Sequence, residues 1–195
     1  MGNLRSVANA FEALGCLVNV SNHPADLKTA DRIVLPGVGA FGDGMHNLQA
    51  FGWIDALEEE VRYKGKPFLG LCLGMQLLAT TGTEYGLHPG LNWIRGIVVR
   101  IPSDDPTIRV PHIGWNDVSF IKKGGLYAGL GDSCVFYFVH SYVLRPEDPE
   151  VTSGVCSFGT EFVASVEMGN IWATQYHPEK SHGGGLKVLQ NFLNL

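Results

Sequence analysis

The sequence predicts an α/β fold: a mostly parallel central sheet flanked by helices, with additional antiparallel strands in the C-terminal half. Three observations predict it. Helix and strand signals alternate through the first two-thirds of the chain. Pro67-Phe68-Leu69-Gly70-Leu71 is a short apolar run of the kind buried on both faces of a parallel sheet. From about Ile94 the pattern changes to closely spaced strands.

The elements follow in order. Leu4, Val7, Phe11 and Leu14 fall at helical spacing, and Gly15 is placed to cap that helix. Leu17 to Val20 reads as a short strand. Arg32-Ile33-Val34-Leu35 reads as a second, stopped by Pro36-Gly37. Ile54, Leu57 and Val61 mark a helix ending near Gly65, followed by the apolar strand at 67–71. The later strands are expected at Gly96–Ile101, His112–Phe120, Cys134–Leu144, Gly154–Ser157, Phe162–Met168 and Ile171–Tyr176, with a hairpin turn at Met168-Gly169-Asn170. A last helix carries Leu186, Leu189, Phe192 and Leu193 on one face. The glycine-rich stretch Ser181–Gly185 before it reads as a loose approach to that helix. No repeat or long linker divides the chain, so residues 1–195 are expected to form one domain.

Composition narrows the function. The chain has 45% hydrophobic and 17% charged residues, ordinary values for a globular protein. Its 195 residues suffice to bury roughly two-thirds of the unfolded surface. A formal charge of −5 with no dense Lys/Arg run argues against nucleic acid as a partner. Cysteines 16, 72, 134 and 156 form no CxxC pair, which argues against a structural zinc or thioredoxin-like site and suits a reducing, cytoplasmic setting. No apolar run approaches the ~18 residues of a membrane span, and the N-terminus lacks a signal-peptide core.

Three segments carry chemistry. Gly70-Leu71-Cys72-Leu73-Gly74-Met75-Gln76 joins a strand to an apolar segment and has the Gly-x-Cys-x-Gly form of a nucleophile elbow. Flanking glycines permit the sharp turn, and a helix starting at the cysteine would lower its thiol pKa. The competing reading is a buried Cys between structural glycines. Gln175-Tyr176-His177-Pro178-Glu179 places a histidine at a strand end, with a carboxylate two residues on to orient it. Alone, it is equally a surface loop. Pro36-Gly37-Val38-Gly39-Ala40-Phe41 ends another strand; its unobstructed N–H groups suit an oxyanion, although a tight turn explains the glycines as well. It lacks the Gly-Lys-Ser/Thr of a phosphate loop.

Together these segments resemble the class I, triad-type glutamine amidotransferases, a flavodoxin-like fold. Pro111-His112-Ile113-Gly114-Trp115-Asn116, Tyr137-Phe138-Val139-His140-Ser141-Tyr142, His177-Pro178-Glu179-Lys180-Ser181 and the opening Met1-Gly2-Asn3-Leu4-Arg5-Ser6-Val7 are similar to the glutaminase subunits of imidazole glycerol phosphate synthase. The resemblance implies a catalytic triad of Cys72, His177 and Glu179. It implies an oxyanion hole bordered by Gly37, Val38 and the Leu73 N–H, and glutamine contacts from Gln76, Glu84, Ser141, Tyr142 and Val143. Asn3, Arg5, Trp115, Tyr137 and Lys180 would face a partner, a cyclase subunit with a (β/α)8 barrel, in a heterodimer. Ammonia would pass to that partner in histidine biosynthesis. No metal, flavin or nucleotide cofactor is implied, and no membrane. The flexible Gly37 and Gly39 suggest an oxyanion hole left unformed until the partner's ligand binds.

The family pattern also places a short apolar strand ahead of Met1-Gly2-Asn3, so the sheet is expected to lack its first strand. Alternatives from other classes are an amidotransferase serving anthranilate, GMP or pyridoxal phosphate synthesis, a Cys-His hydrolase acting alone, and a non-catalytic scaffold of the same fold. The 111–116 and 137–142 segments and the intact triad weigh against them.

Overall fold

A computed structural model describes residues 4–102 and 108–195. The helices are α1 Leu4–Ala13, α2 Phe41–Ala50, α3 Trp53–Leu57, α4 Leu73–Gln76 and α5 His182–Leu193. The strands are β1 Ile33–Gly37, β2 Phe68–Cys72, β3 Thr81–Gly82, β4 His88–Pro89, β5 Gly96–Arg100, β6 His112–Phe120, β7 Ser133–His140, β8 Tyr142–Pro146, β9 Thr152–Phe158, β10 Thr160–Met168 and β11 Ile171–Thr174. A seven-stranded sheet runs β1-β2-β11-β10-β9-β6-β7, and a four-stranded sheet runs β4-β3-β5-β8. In the larger sheet β1, β2 and β11 pair in parallel. The ladders from β11 through β10, β9 and β6 to β7 are antiparallel.

The alternation of side chains divides the core between the two faces of this sheet. From β2, Leu69 and Leu71 pack with Phe11, Phe136, Phe138, Val188 and Phe192 on one face. Phe68 packs with Ile33, Phe41, Leu57, Met75 and Leu78 on the other. All five β2 residues are buried, as a parallel strand covered on both sides requires. Each such Leu or Phe contributes roughly 1.5–3 kcal/mol of burial free energy, so β2 is firmly seated beneath the site.

Most predicted elements form where expected. The first helix ends on Gly15 at φ +85°, with Gly15 N–H donating to Glu12 O and Cys16 N–H to Phe11 O. The Met168-Gly169-Asn170 hairpin forms on Gly169 at φ +60°. Four expectations change. Leu17–Val20 forms no strand: it has no ladder partner among the described residues, and Leu17 is fully exposed. The stretch Cys134–Leu144 divides at Ser141 into β7 and β8, which join different sheets. Ser181–Gly185 is no loose approach, because α5 starts at His182 and a side chain at Gly185 would lie 2.0 Å from Pro178 O. Leu186 points outward at 37% exposure; the inward face is Gly185, Val188, Leu189 and Phe192. Asn3 lies outside the described residues.

Candidate active site

Three neighbouring parallel strand ends build the site. β1 ends at Gly37, whose ladder partner is Cys72, the last residue of β2. β11 lies on the other side of β2 and leads through Gln175 to His177. Side chains two residues apart on an extended chain face the same way.

Cys72 holds φ 53°, ψ −106°, in the positive-φ region that non-glycine residues rarely occupy. Two glycines make room for the turn. A Cβ at Gly74 would lie 1.9 Å from Leu35 O on β1, and one at Gly70 would lie 2.7 Å from Gly74 O. The elbow read from the sequence is therefore present. The helix after it is a single turn, four residues long, so its dipole at the sulfur is small. The groups that act on the sulfur are side chains instead.

His177 Nδ1 and Glu179 Oε1 are 2.8 Å apart, with the two side chains 1% and 0% exposed. Since the carboxylate accepts, Nδ1 carries the proton and Nε2 serves the sulfur side. Burial lowers the His177 pKa, but hydrogen bonding with Cys72 and Glu179 outweighs it and raises the ring from its ordinary 6.5 to about 9. The backbone is fixed as firmly. His177 N–H donates to Tyr137 O at 2.9 Å, and Ser181 Oγ–H donates to His177 O at 2.6 Å while accepting from Tyr137 N–H at 3.0 Å. Cys72, His177 and Glu179 thus meet as one buried cluster.

Gly37 and Leu73 flank Cys72, with a Cβ at Gly37 placed 3.0 Å from Leu73 Cβ. Val38, next in the loop, is 45% exposed. Glu84 Oε2 accepts from Phe41 N–H at 2.9 Å, capping α2 where the glycine loop ends. Both N–H groups of the Gln76 amide are engaged, with Tyr142 O at 2.9 Å and Gln175 Oε1 at 3.0 Å. Ser141 O accepts from Ile101 N–H at 2.8 Å, and Tyr142 and Val143 pair with Arg100 and Val99 across β8 and β5.

Sequence reasoning gave no role to Gln175, which touches this cluster, or to a histidine pair nearby. Gln175 Nε2 donates to Cys72 Sγ at 3.6 Å. Its spacing of two from His177 was the available signal. Behind Tyr142, His140 Nδ1 bonds Tyr142 O at 3.0 Å, and His112 Nδ1 lies 3.0 Å from His140 Nε2. A carbonyl only accepts, so His140 carries its proton on Nδ1 and His112 donates to its Nε2. Burial holds both rings neutral, with His112 lowered to about 4 and His140 to about 3.

Of the residues expected to face a partner, three assemble on one surface. Trp115 stacks on His182 at 4.8 Å and meets Tyr137 edge-on at 5.8 Å, and Lys180 Nζ lies 5.7 Å from the Tyr137 ring. Arg5 is exposed on α1, which packs beside the turn at Pro178–Lys180. Among the described residues no cluster of His, Cys, Asp or Glu is arranged to hold a metal. No helix there is long and apolar enough to cross a membrane.

Comparison with known proteins agrees with this geometry. The model of the family Glutamine amidotransferase class-I matches residues 1–195. A Campylobacter jejuni (strain RM1221) protein named imidazole glycerol phosphate synthase subunit HisH 1 is 46% identical over 194 residues, covering 100% of this chain and 96% of its own. The HisH subunit from Aquifex aeolicus (strain VF5) is 47% identical over 193 residues, covering 98% of this chain and 91% of its own. A solved structure described as a glutamine amidotransferase aligns with TM-score 0.75 at 20% identity, covering 99% of this chain and 93% of its own, a likeness of fold.

Proposed function

The chain belongs to the class I glutamine amidotransferases, and on that premise we propose that Cys72, His177 and Glu179 are its catalytic triad and that residues 1–195 form one amidotransferase domain. The chain acts as the glutaminase subunit of an imidazole glycerol phosphate synthase in histidine biosynthesis. One observation carries the triad assignment: a strained cysteine elbow on β2 bonded to a buried histidine that a buried carboxylate orients.

The chemistry follows from those positions. His177 Nε2 takes the thiol proton, and the Cys72 thiolate attacks the side-chain carboxamide carbon of glutamine. Negative charge gathers on the carboxamide oxygen, beside the N–H groups of Val38 and Leu73 in the gap that Gly37 borders. The imidazolium, stabilised by Glu179, gives its proton to the departing nitrogen. Ammonia leaves, and His177 then activates a water that hydrolyses the glutamyl thioester to glutamate. Gln76, Glu84, Ser141, Tyr142 and Val143 line the substrate's approach.

Ammonia passes to a cyclase subunit with a (β/α)8 barrel, in a heterodimer, where it completes imidazole glycerol phosphate. Trp115, Tyr137 and Lys180, with Arg5 nearby, form the docking face. Support for this comes from the exposed Trp115 ring, 47% accessible, beside the loop carrying His177. The enzyme works in the cytoplasm. The test is ammonia release from glutamine with and without a cyclase barrel, beside Cys72→Ala. Turnover only with the barrel, abolished by the substitution, is expected; persistent turnover by the variant overturns the nucleophile assignment.

A further inference from the structure

Two side chains, Gln76 and Gln175, bond in series between Tyr142 O and the Cys72 sulfur, and the direction of every bond is fixed by the first. Tyr142 O is a backbone carbonyl and can only accept. The Gln76 atom 2.9 Å from it is therefore the amide nitrogen. That nitrogen's second hydrogen points at Gln175, 3.0 Å away, so Gln175 presents its oxygen there. The remaining end of the Gln175 amide, its NH2, faces Cys72 Sγ at 3.6 Å. Had the Gln175 amide been reversed, two NH2 groups would oppose each other in a buried site. Gln175 is fully buried, so no water competes for its donor. Its backbone is pinned by the bond from Gln175 N–H to Ala164 O, 2.8 Å.

We propose that Gln175 is a further catalytic residue, a donor to the sulfur that stabilises the Cys72 thiolate and aims it, with its polarity set by the Tyr142–Gln76 chain. This rests on the triad reading above and deepens it. The sulfur then has two side-chain donors from one strand end, Gln175 and His177. His177 alternates between holding and releasing a proton, whereas Gln175 keeps its N–H throughout. The thiolate has that donor before it attacks, and gives it up when the sulfur bonds to the carboxamide carbon. It regains that donor when the thioester is cleaved and the sulfur departs as an anion. Glutamine bound against Tyr142 and Gln76 would also bear on the same chain of bonds.

The titratable group bonded to the sulfur is His177, backed by Glu179; His140, whose ring burial holds neutral, acts electrostatically on His177. None of them reverses the sign expected for loss of Gln175. The experiment follows iodoacetamide alkylation of Cys72 against pH in the full chain. Peptide mass analysis separates this cysteine from 16, 134 and 156. Two variants are compared with the parent: Gln175→Leu, which removes the donor, and Gln175→Glu, which keeps the acceptor for Gln76 but puts a carboxylate at the sulfur. Loss of one hydrogen bond to a charged group corresponds to about tenfold less thiolate at a given pH, one unit of apparent pKa. We expect that upward shift in Gln175→Leu and a larger one in Gln175→Glu.

An unchanged thiol pKa in folded variants overturns the proposal. A residue that only fills space would lower the melting temperature and leave that pKa in place. A third measurement needs no variant. In the unmodified chain, an NMR resonance of the Gln175 side-chain N–H must move with the Cys72 titration, and invariance refutes the bond. Alkylation does not require turnover. A chain without glutaminase activity that still shows the shift would sink the function and leave this donor standing.

Discussion

Replacing Gly74 by alanine tests whether the elbow is set by close contact between α4 and β1. The added methyl would stand 1.9 Å from Leu35 O and 3.0 Å from Leu35 C, both backbone atoms that no rotamer change can remove. An ordinary carbon–oxygen contact is roughly 3.3 Å, so strand and turn must part by about 1.4 Å. Overpacking of this kind costs ~1–3 kcal/mol, which lowers the melting temperature by about 2–12 °C in a chain of this size. The displacement falls two residues from Cys72 and two from Gly37, its ladder partner. An error of ~1 Å at reacting atoms costs on the order of 100-fold in rate. Glutamine hydrolysis in the presence of the cyclase should therefore fall by about two orders of magnitude, alongside the melting shift. Gly183→Ala is the matched control: nothing lies within 4 Å of its new methyl, and it sits in α5. It should leave melting unchanged or slightly raised. Gly74→Ala with parental turnover and melting would refute the close-contact argument.

Glu179→Gln removes the anion 2.8 Å from His177 Nδ1 and should cut turnover by ~10²–10⁴-fold, measured as kcat at saturating glutamine. Because the paired ring is raised to about 9, its stabilisation is complete below pH 6.5 and lost as pH rises through 9. The stability gap between parent and variant, read by urea unfolding, should close across that window. His112 and His140 have the opposite sign. Their pKa values are lowered to about 4 and about 3, so stability is full above 6.5 and falls as pH drops. At pH 5 each ring should cost roughly 2 kcal/mol, and denaturant midpoints that do not move between pH 7 and pH 5 would contradict this. Trp115→Ala should weaken association with the cyclase at least tenfold, about 1.4 kcal/mol, by calorimetric titration, while leaving the fold unchanged.

Residues whose local pattern decided their structure were legible in the sequence. The β2 run, the cysteine elbow and the His177–Glu179 pair all declare themselves within seven residues or fewer. Elements decided by distant partners did not. Phe41–Ala50 escaped notice because it holds two glycines and buries only Phe41 and Leu48, too few for a clear helical period. The break at Ser141 was hidden inside an unbroken aromatic and aliphatic stretch, since a strand changing sheets leaves no mark without a turn residue. Leu17–Val20 has strand composition but no ladder neighbour among the described residues, and composition cannot supply one. Gln175 was the hardest to read. Its donor is aimed by a carbonyl at Tyr142 and an amide at Gln76, residues that only the folded sheets bring together.

The groups proposed to react stand at or just past the tips of adjacent members of one parallel ladder, with Gly37 opposite Cys72 and Thr174 opposite Leu71. A slip of a single step between any two of these strands would turn every alternate side chain to the far face and scatter the cluster. Catalytic competence and the ladder are thus acquired in the same cooperative event, and heat should extinguish them together. Deuterium uptake at the Leu71 amide should track surviving enzyme activity through the melt.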